Sequence, residues 1–168
     1  MSAPCPSTFS TLAIIDAVVA RLRQKIPTLT VEYFPESPAE YRVNHPRGAL
    51  LVSYTGSQFE QPRDLTFVAQ ARTLRLSITV ILRQLNGRGG AVDVLDAVRA
   101  ALAGFTPPDC RRKLWAQSEQ FLGETAGLWQ YAVDFSTETM LVEAAEGESS
   151  NPAPLLFDVR HEEVFNAL

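Results

Sequence analysis

Residues 72–83, RTLRLSITVILR, constrain the fold of this chain more than any other stretch. Leu74, Leu76, Ile78, Val80 and Leu82 fall on one face, and Thr73, Arg75, Ser77, Thr79, Ile81 and Arg83 on the other. Period-two alternation with β-branched residues predicts a strand with one buried and one wetter face. At about 3.3 Å per residue it would run for roughly 40 Å, longer than most strands. A strand of that length needs partners on both edges and apolar cover on one side. Ile78→Asp is therefore expected to abolish soluble expression, and Thr79→Asp to be tolerated in the isolated subunit.

The cover comes from two amphipathic stretches. Leu12, Ile15, Val18 or Val19, Leu22 and Ile26 recur at helical spacing, with Asp16, Arg23 and Gln24 facing away. Ser10 or Thr11 can cap this helix, Arg21, Arg23 and Lys25 suit the negative end of its dipole, and Pro27 stops it. A second helix follows the glycine-rich residues 86–90, with Val94, Leu95, Val98, Ala101 and Leu102 as its stripe. Gly104 stands where a left-handed cap is needed, Phe105 can fold back on the last turn, and Pro107 and Pro108 forbid continuation. Short strands are expected at 28–33 and 49–54, the latter turned by Gly56 and Ser57. A hairpin is expected with arms 113–122 and 128–137 around a turn at 123–127. The predicted architecture is α/β (α+β): two helices packed on one face of a mixed, mostly antiparallel sheet of about four to six strands.

Three segments lack such periodicity. Residues 1–10 read as a loose arm. Residues 35–48 carry three prolines and read as a surface loop or arm, with Tyr41 and Val43 as isolated apolar groups. Residues 144–154 read as an acidic linker between a single domain, 1–143, and a docking tail, 155–168, that carries Leu156, Phe157 and Phe165.

Composition narrows the function classes. A 168-residue chain with 46% hydrophobic residues can bury about 70% of its unfolded surface without staples. A net charge of −4 argues against a general nucleic-acid binder. Cys5 and Cys110 make neither a disulfide framework nor a zinc site, so a reducing compartment is expected. Residues 12–22 contain Asp16 and Arg21 and are too short to span a bilayer; neither a membrane segment nor a secretion signal is expected.

Catalytic patterns are hard to find. The 86–90 loop invites a phosphate, because strand, glycine loop and helix aim backbone amides at anions, but it lacks the P-loop lysine and hydroxyl and the full GxGxxG spacing. It is the basis of an alternative reading as a small ligand- or nucleotide-binding α/β protein. His45 and His161 have no metal-ligand spacing, and no serine sits in a GxSxG elbow. No enzyme activity, catalytic residue, metal or cofactor is expected. Arg72, Arg75, Arg83 and Arg88 could instead form a basic strip toward a partner subunit or a polyanion.

The order of three segments carries a family likeness. RGALLVSYTGS at 47–57, the long strand, LDAVRAALAGF at 95–105 and GLWQY at 127–131 together resemble the Mu-type phage tail terminator family of contractile tails, over residues 11–137. That family is similar by fold to the lambda tail terminator, an α/β subunit of a hexameric ring. The resemblance implies a structural virion protein, assembled in the host cytoplasm. It would cap tail tube and sheath at their head-proximal end, meet the head connector and surround a lumen through which DNA passes. A phage-like tail device is implied equally. Tyr41, Val43, the four arginines, Leu156, Phe157 and Phe165 are then the candidate interface residues, with the 35–48 loop and the tail reaching between subunits.

Overall fold

The computed structural model describes residues 10–144. The order is α1 (Thr11–Lys25), β1 (Thr30–Tyr33), a single 3-10 turn (Pro38–Glu40), β2 (Gly48–Phe59), β3 (Ala69–Leu82), α2 (Ala91–Leu102), β4 (Trp115–Thr125) and β5 (Leu128–Val142). The five strands form one sheet in the order β1-β2-β3-β5-β4. Only β1 and β2 are parallel; the other three pairs are antiparallel. This is the expected α+β arrangement, with the long alternating strand at its centre.

Both helices lie on the face expected for them. Ser10 caps α1 by accepting the Ala13 amide at 3.3 Å. Ile14, Val18, Val19 and Leu22 of α1 and Val94, Leu95, Val98 and Leu102 of α2 are buried. Beneath them are Leu50 and Val52 of β2, Leu74 to Leu82 at every second residue of β3, and Val133 and Phe135 of β5. Each such side chain contributes about 1.5–3 kcal/mol over its exposed state. Arg21 ties the helices together: its Nε donates to the Ala101 carbonyl at 3.1 Å and its guanidinium lies over the Phe105 ring. Gly104 takes the left-handed conformation (φ 85°) and Phe105 turns back onto the core, as its position after α2 predicts.

The opposite face departs from expectation. Ala49, Leu51 and Ile81 form a second buried cluster under Tyr41, Val43 and Leu128. Thr79, expected on a wetter face, is 8% exposed, and Ser77 is 9% exposed. The cause is the 35–48 segment, which folds onto its own sheet. Tyr41 and Val43 are two apart, the spacing at which an extended segment turns both side chains to one side. Thr79→Asp is therefore expected to destabilise this fold rather than be tolerated. The open part of this face begins at Arg75, which is exposed.

Two turns also move. Gly56 and Ser57 do not end β2; the register slips between Tyr54 and Gly56, and Thr55 is the extra residue of a bulge. The hairpin turn is not five residues but two, Ala126 and Gly127, both at positive φ (52° and 76°), which matches the twist of the flanking strands. Gly123 belongs to β4, beside another bulge. The long strand runs from Ala69 to Leu82 and so begins three residues before the alternating stretch.

Candidate interaction surfaces

The four arginines do not form one strip. Arg72 lies on the helix side of the sheet. Its Nε donates to Ser57 Oγ at 2.8 Å, and its Nη2 donates to Thr11 Oγ1 at 2.9 Å and Tyr54 Oη at 3.2 Å. Its guanidinium also sits over the Tyr54 and Phe59 rings. It fastens the start of α1 to the β2–β3 pair. Arg75 points the other way and is exposed, with Nη2 donating to Gln58 Oε1 at 3.0 Å. It lines a polar cleft of about 470 Å³ with Ser118, Asp134 and Ser136. The Ser136 hydroxyl is buried there with no hydrogen-bond partner among the described residues.

Arg83 and Arg88 lie eight and thirteen residues further along the chain, at the other end of β3. Arg83 Nη2 donates to the Val43 carbonyl at 3.3 Å and so helps hold the 35–48 segment on the sheet. Arg88 lines a small cleft with Lys25, Arg47 and Asp93. Tyr41 and Val43 are brought together, half-buried, on the second face. Tyr41 Oη donates to Glu32 Oε2 at 2.9 Å; burial, reinforced by that bond, pushes its pKa up to about 12. Leu156, Phe157 and Phe165 lie outside the described residues, as do residues 1–9 and most of the expected linker.

The 86–90 loop has little to offer an anion. The Gly89 amide donates to Asp93 Oδ2 at 2.7 Å, so a carboxylate of the chain already takes the place a phosphate would want. The amides of Gly90, Ala91 and Val92 donate to the carbonyls of Gly87, Gln84 and Leu85. Burial pushes the Cys110 thiol up, which disfavours a nucleophilic thiolate. Among the described residues, no three His, Cys, Asp or Glu side chains converge as a metal site, and no helix is long and apolar enough to cross a membrane.

Two surfaces were not evident in the sequence. The first is the outer edge of β4, an 11-residue strand at the end of the sheet and exposed along nearly its whole length. Phe121 and Leu122 project from it. Its alternation is broken by register shifts at Gln117 and Leu122, which hide its extent beyond the expected arm at 113–122. The opposite edge, β1, has four residues, and its Val31 carbonyl accepts a forked pair of bonds from Arg23. One edge is closed by a side chain and the other is open. The second surface is the far end of β3 and β5, where Leu65, Phe67, Val68, Leu141 and Val142 are all exposed.

Comparison with known proteins bears on the whole chain. A solved structure, described as the virion of a native gene transfer agent (GTA) particle, contains a chain of the same fold. The match has a TM-score of 0.52 at 19% identity and covers 83% of this chain and 100% of that one. No curated protein matches. The sequence pattern of the Gp37 protein family matches residues 18–163, further toward the C-terminus than the likeness read from residues 11–137. The chain belongs to the Gp37 protein family.

Proposed function

We propose that this protein is a structural component of a virion or of a phage-like particle, and that within it the chain acts as a tail terminator of the Mu type. The observation that carries this reading is the fold match to a GTA virion chain, whose entire length is covered. In this reading the subunits close into a ring, most simply a hexamer as the resemblance implies. The ring caps tube and sheath at the head-proximal end, meets the head connector and leaves a lumen for DNA. The protein acts by binding, without catalysis or a cofactor.

The two unlike sheet edges support a head-to-tail ring. A cyclic assembly needs two different surfaces on each subunit, one for each neighbour. The open β4 edge can accept a neighbour through backbone hydrogen bonds, with Phe121 and Leu122 adding apolar contact. Arg75 and Arg88 remain available to partners, whereas Arg72 is committed within the subunit. Tyr41 and Val43, half-exposed on their own sheet, can border a contact but do not reach across one as a free arm. The ligand-binding alternative loses ground because the Gly89 and Gly90 amides, and those of Ala91 and Val92 that open α2, are already taken.

Light scattering and electron microscopy of the purified protein test the ring. Closed rings that attach to one end of tail tubes are the expected result. Loss of the protein from its particle should give tubes of irregular length. A protein that stays monomeric at tens of micromolar, together with uniform capped tubes formed in its absence, would overturn the proposal.

A further inference from the structure

The apolar end of the sheet and the chain's own C-terminal segment account for one another. Leu65, Phe67, Val68, Leu141 and Val142 cluster where β3 begins and β5 ends, joined by the Glu143 amide donating to the Val68 carbonyl at 2.9 Å. Leu65 is 105% exposed, as open as in an extended chain. Beside them lies a groove of about 490 Å³, its lining including Phe67, Ala69, Ala71 and Met140 among charged groups of both signs. Several large apolar side chains exposed around a groove mark a candidate docking site.

We infer that residues 155–168 of the same chain cover this end, with Leu156 and Phe157 entering the groove. Four observations favour that occupant. The chain leaves the sheet at Val142, inside the patch itself. The ten residues 145–154 can span at most about 35 Å, so the apolar stretch that follows stays tethered close by. Tethering converts docking into an intramolecular step with an effective concentration in the millimolar range. The β4 patch of Phe121 and Leu122 is a poorer fit, because Phe121 pairs with Tyr131, eleven residues and roughly 36 Å of strand from Val142.

Charge does not select the occupant, because Arg63 and Arg111 share the groove with Glu60, Asp64 and Glu138. Finally, the family pattern runs on to residue 163, so most of this segment belongs to what the family shares rather than to an appendage. The inference concerns the isolated chain and holds or fails independently of the virion reading.

Hydrogen exchange on the full-length protein tests it. In a Leu156→Ser/Phe157→Ser variant, peptides covering 65–70 and 140–143 should exchange at least about tenfold faster than in the unaltered chain, with α2 unchanged as an internal control. Phe67→Ser should reciprocally speed exchange in 155–168 by a similar factor. Because Phe67 is exposed, that variant keeps its fold. The protection should be the same at 1 and at 50 micromolar, values chosen as roughly spanning intermolecular association. Protection that grows with concentration would place the segment on a second copy and overturn the inference. So would unchanged exchange at 65–70 in the first variant.

Discussion

The two ends of β3 follow one alternation and meet opposite environments. From Leu76 to Leu82 every residue is buried, the even ones under the helices, with Thr79 and Ile81 beside Tyr41 and Val43 on the other face. From Ala69 to Thr73 no residue is fully buried, and the strand runs out beside the exposed Phe67 and Val68. Alternation in a sequence reports only that two faces differ in polarity. It says nothing of what lies above the more polar face, because small hydroxyl residues such as Ser77 and Thr79 suit a covered sheet as well as a wet one. The buried end serves the subunit's stability, and the open end has surface left over for contacts.

The strongest way to break that contrast is to place a carboxylate at each depth. Ile78→Asp buries an unpaired charge beneath both helices and should cost more than about 4 kcal/mol, enough to abolish soluble expression. Thr79→Asp should cost roughly 2–4 kcal/mol, because its cover is thinner and polar groups lie nearby. Urea midpoints for the two, with Arg75→Asp as the exposed control, check the order. If Thr79→Asp behaves like the control, the 35–48 segment does not stay on the sheet in solution.

A smaller effect separates two arginines that the sequence places in the same set. Arg72→Ala removes three hydrogen bonds and two ring contacts and should lower stability by about 1–2 kcal/mol. Arg75→Ala should stay within about 0.5 kcal/mol. Equal losses in thermal or chemical denaturation would contradict their placement on opposite faces. The smallest effect sharpens the account of the covered end. Tyr41 has a folded pKa of about 12 against an ordinary 10.0. A raised pKa means that its contribution is complete below pH 10 and is lost as the pH climbs through 12. Glu32→Gln removes the acceptor charge and should bring this phenol's ionisation to lower pH in an ultraviolet titration.

Much of the fold was legible because its signals are local. Ser10, Pro27, Gly104 and the two helical stripes each fix an element through residues a few positions apart. The second face was not legible, since Tyr41 and Val43 reach Ile81 across about forty residues and only the folded sheet brings them together. Bulges at Thr55, Gln117 and Leu122 shifted the apparent period and so shortened or blurred β2 and β4 in a strict alternation count. The arginines were legible as a set only because chain order was taken for spatial order. Arg72 and Arg75 are three apart in sequence and lie on opposite sides of the sheet.

The position of β5 in the sheet has a consequence during synthesis. When the ribosome has finished β3, the β2–β3 hairpin can already form, but the other edge of β3 waits for a strand that ends only at Val142. Translation supplies about 5–20 residues per second, so completing residues 83–142 takes roughly 3–12 s. Throughout that interval the most apolar strand of the protein presents an unpaired edge. Newly made chains are then most open to pairing with one another, and a chaperone that holds residues 69–82 during those seconds should raise the yield more than one acting on the finished chain.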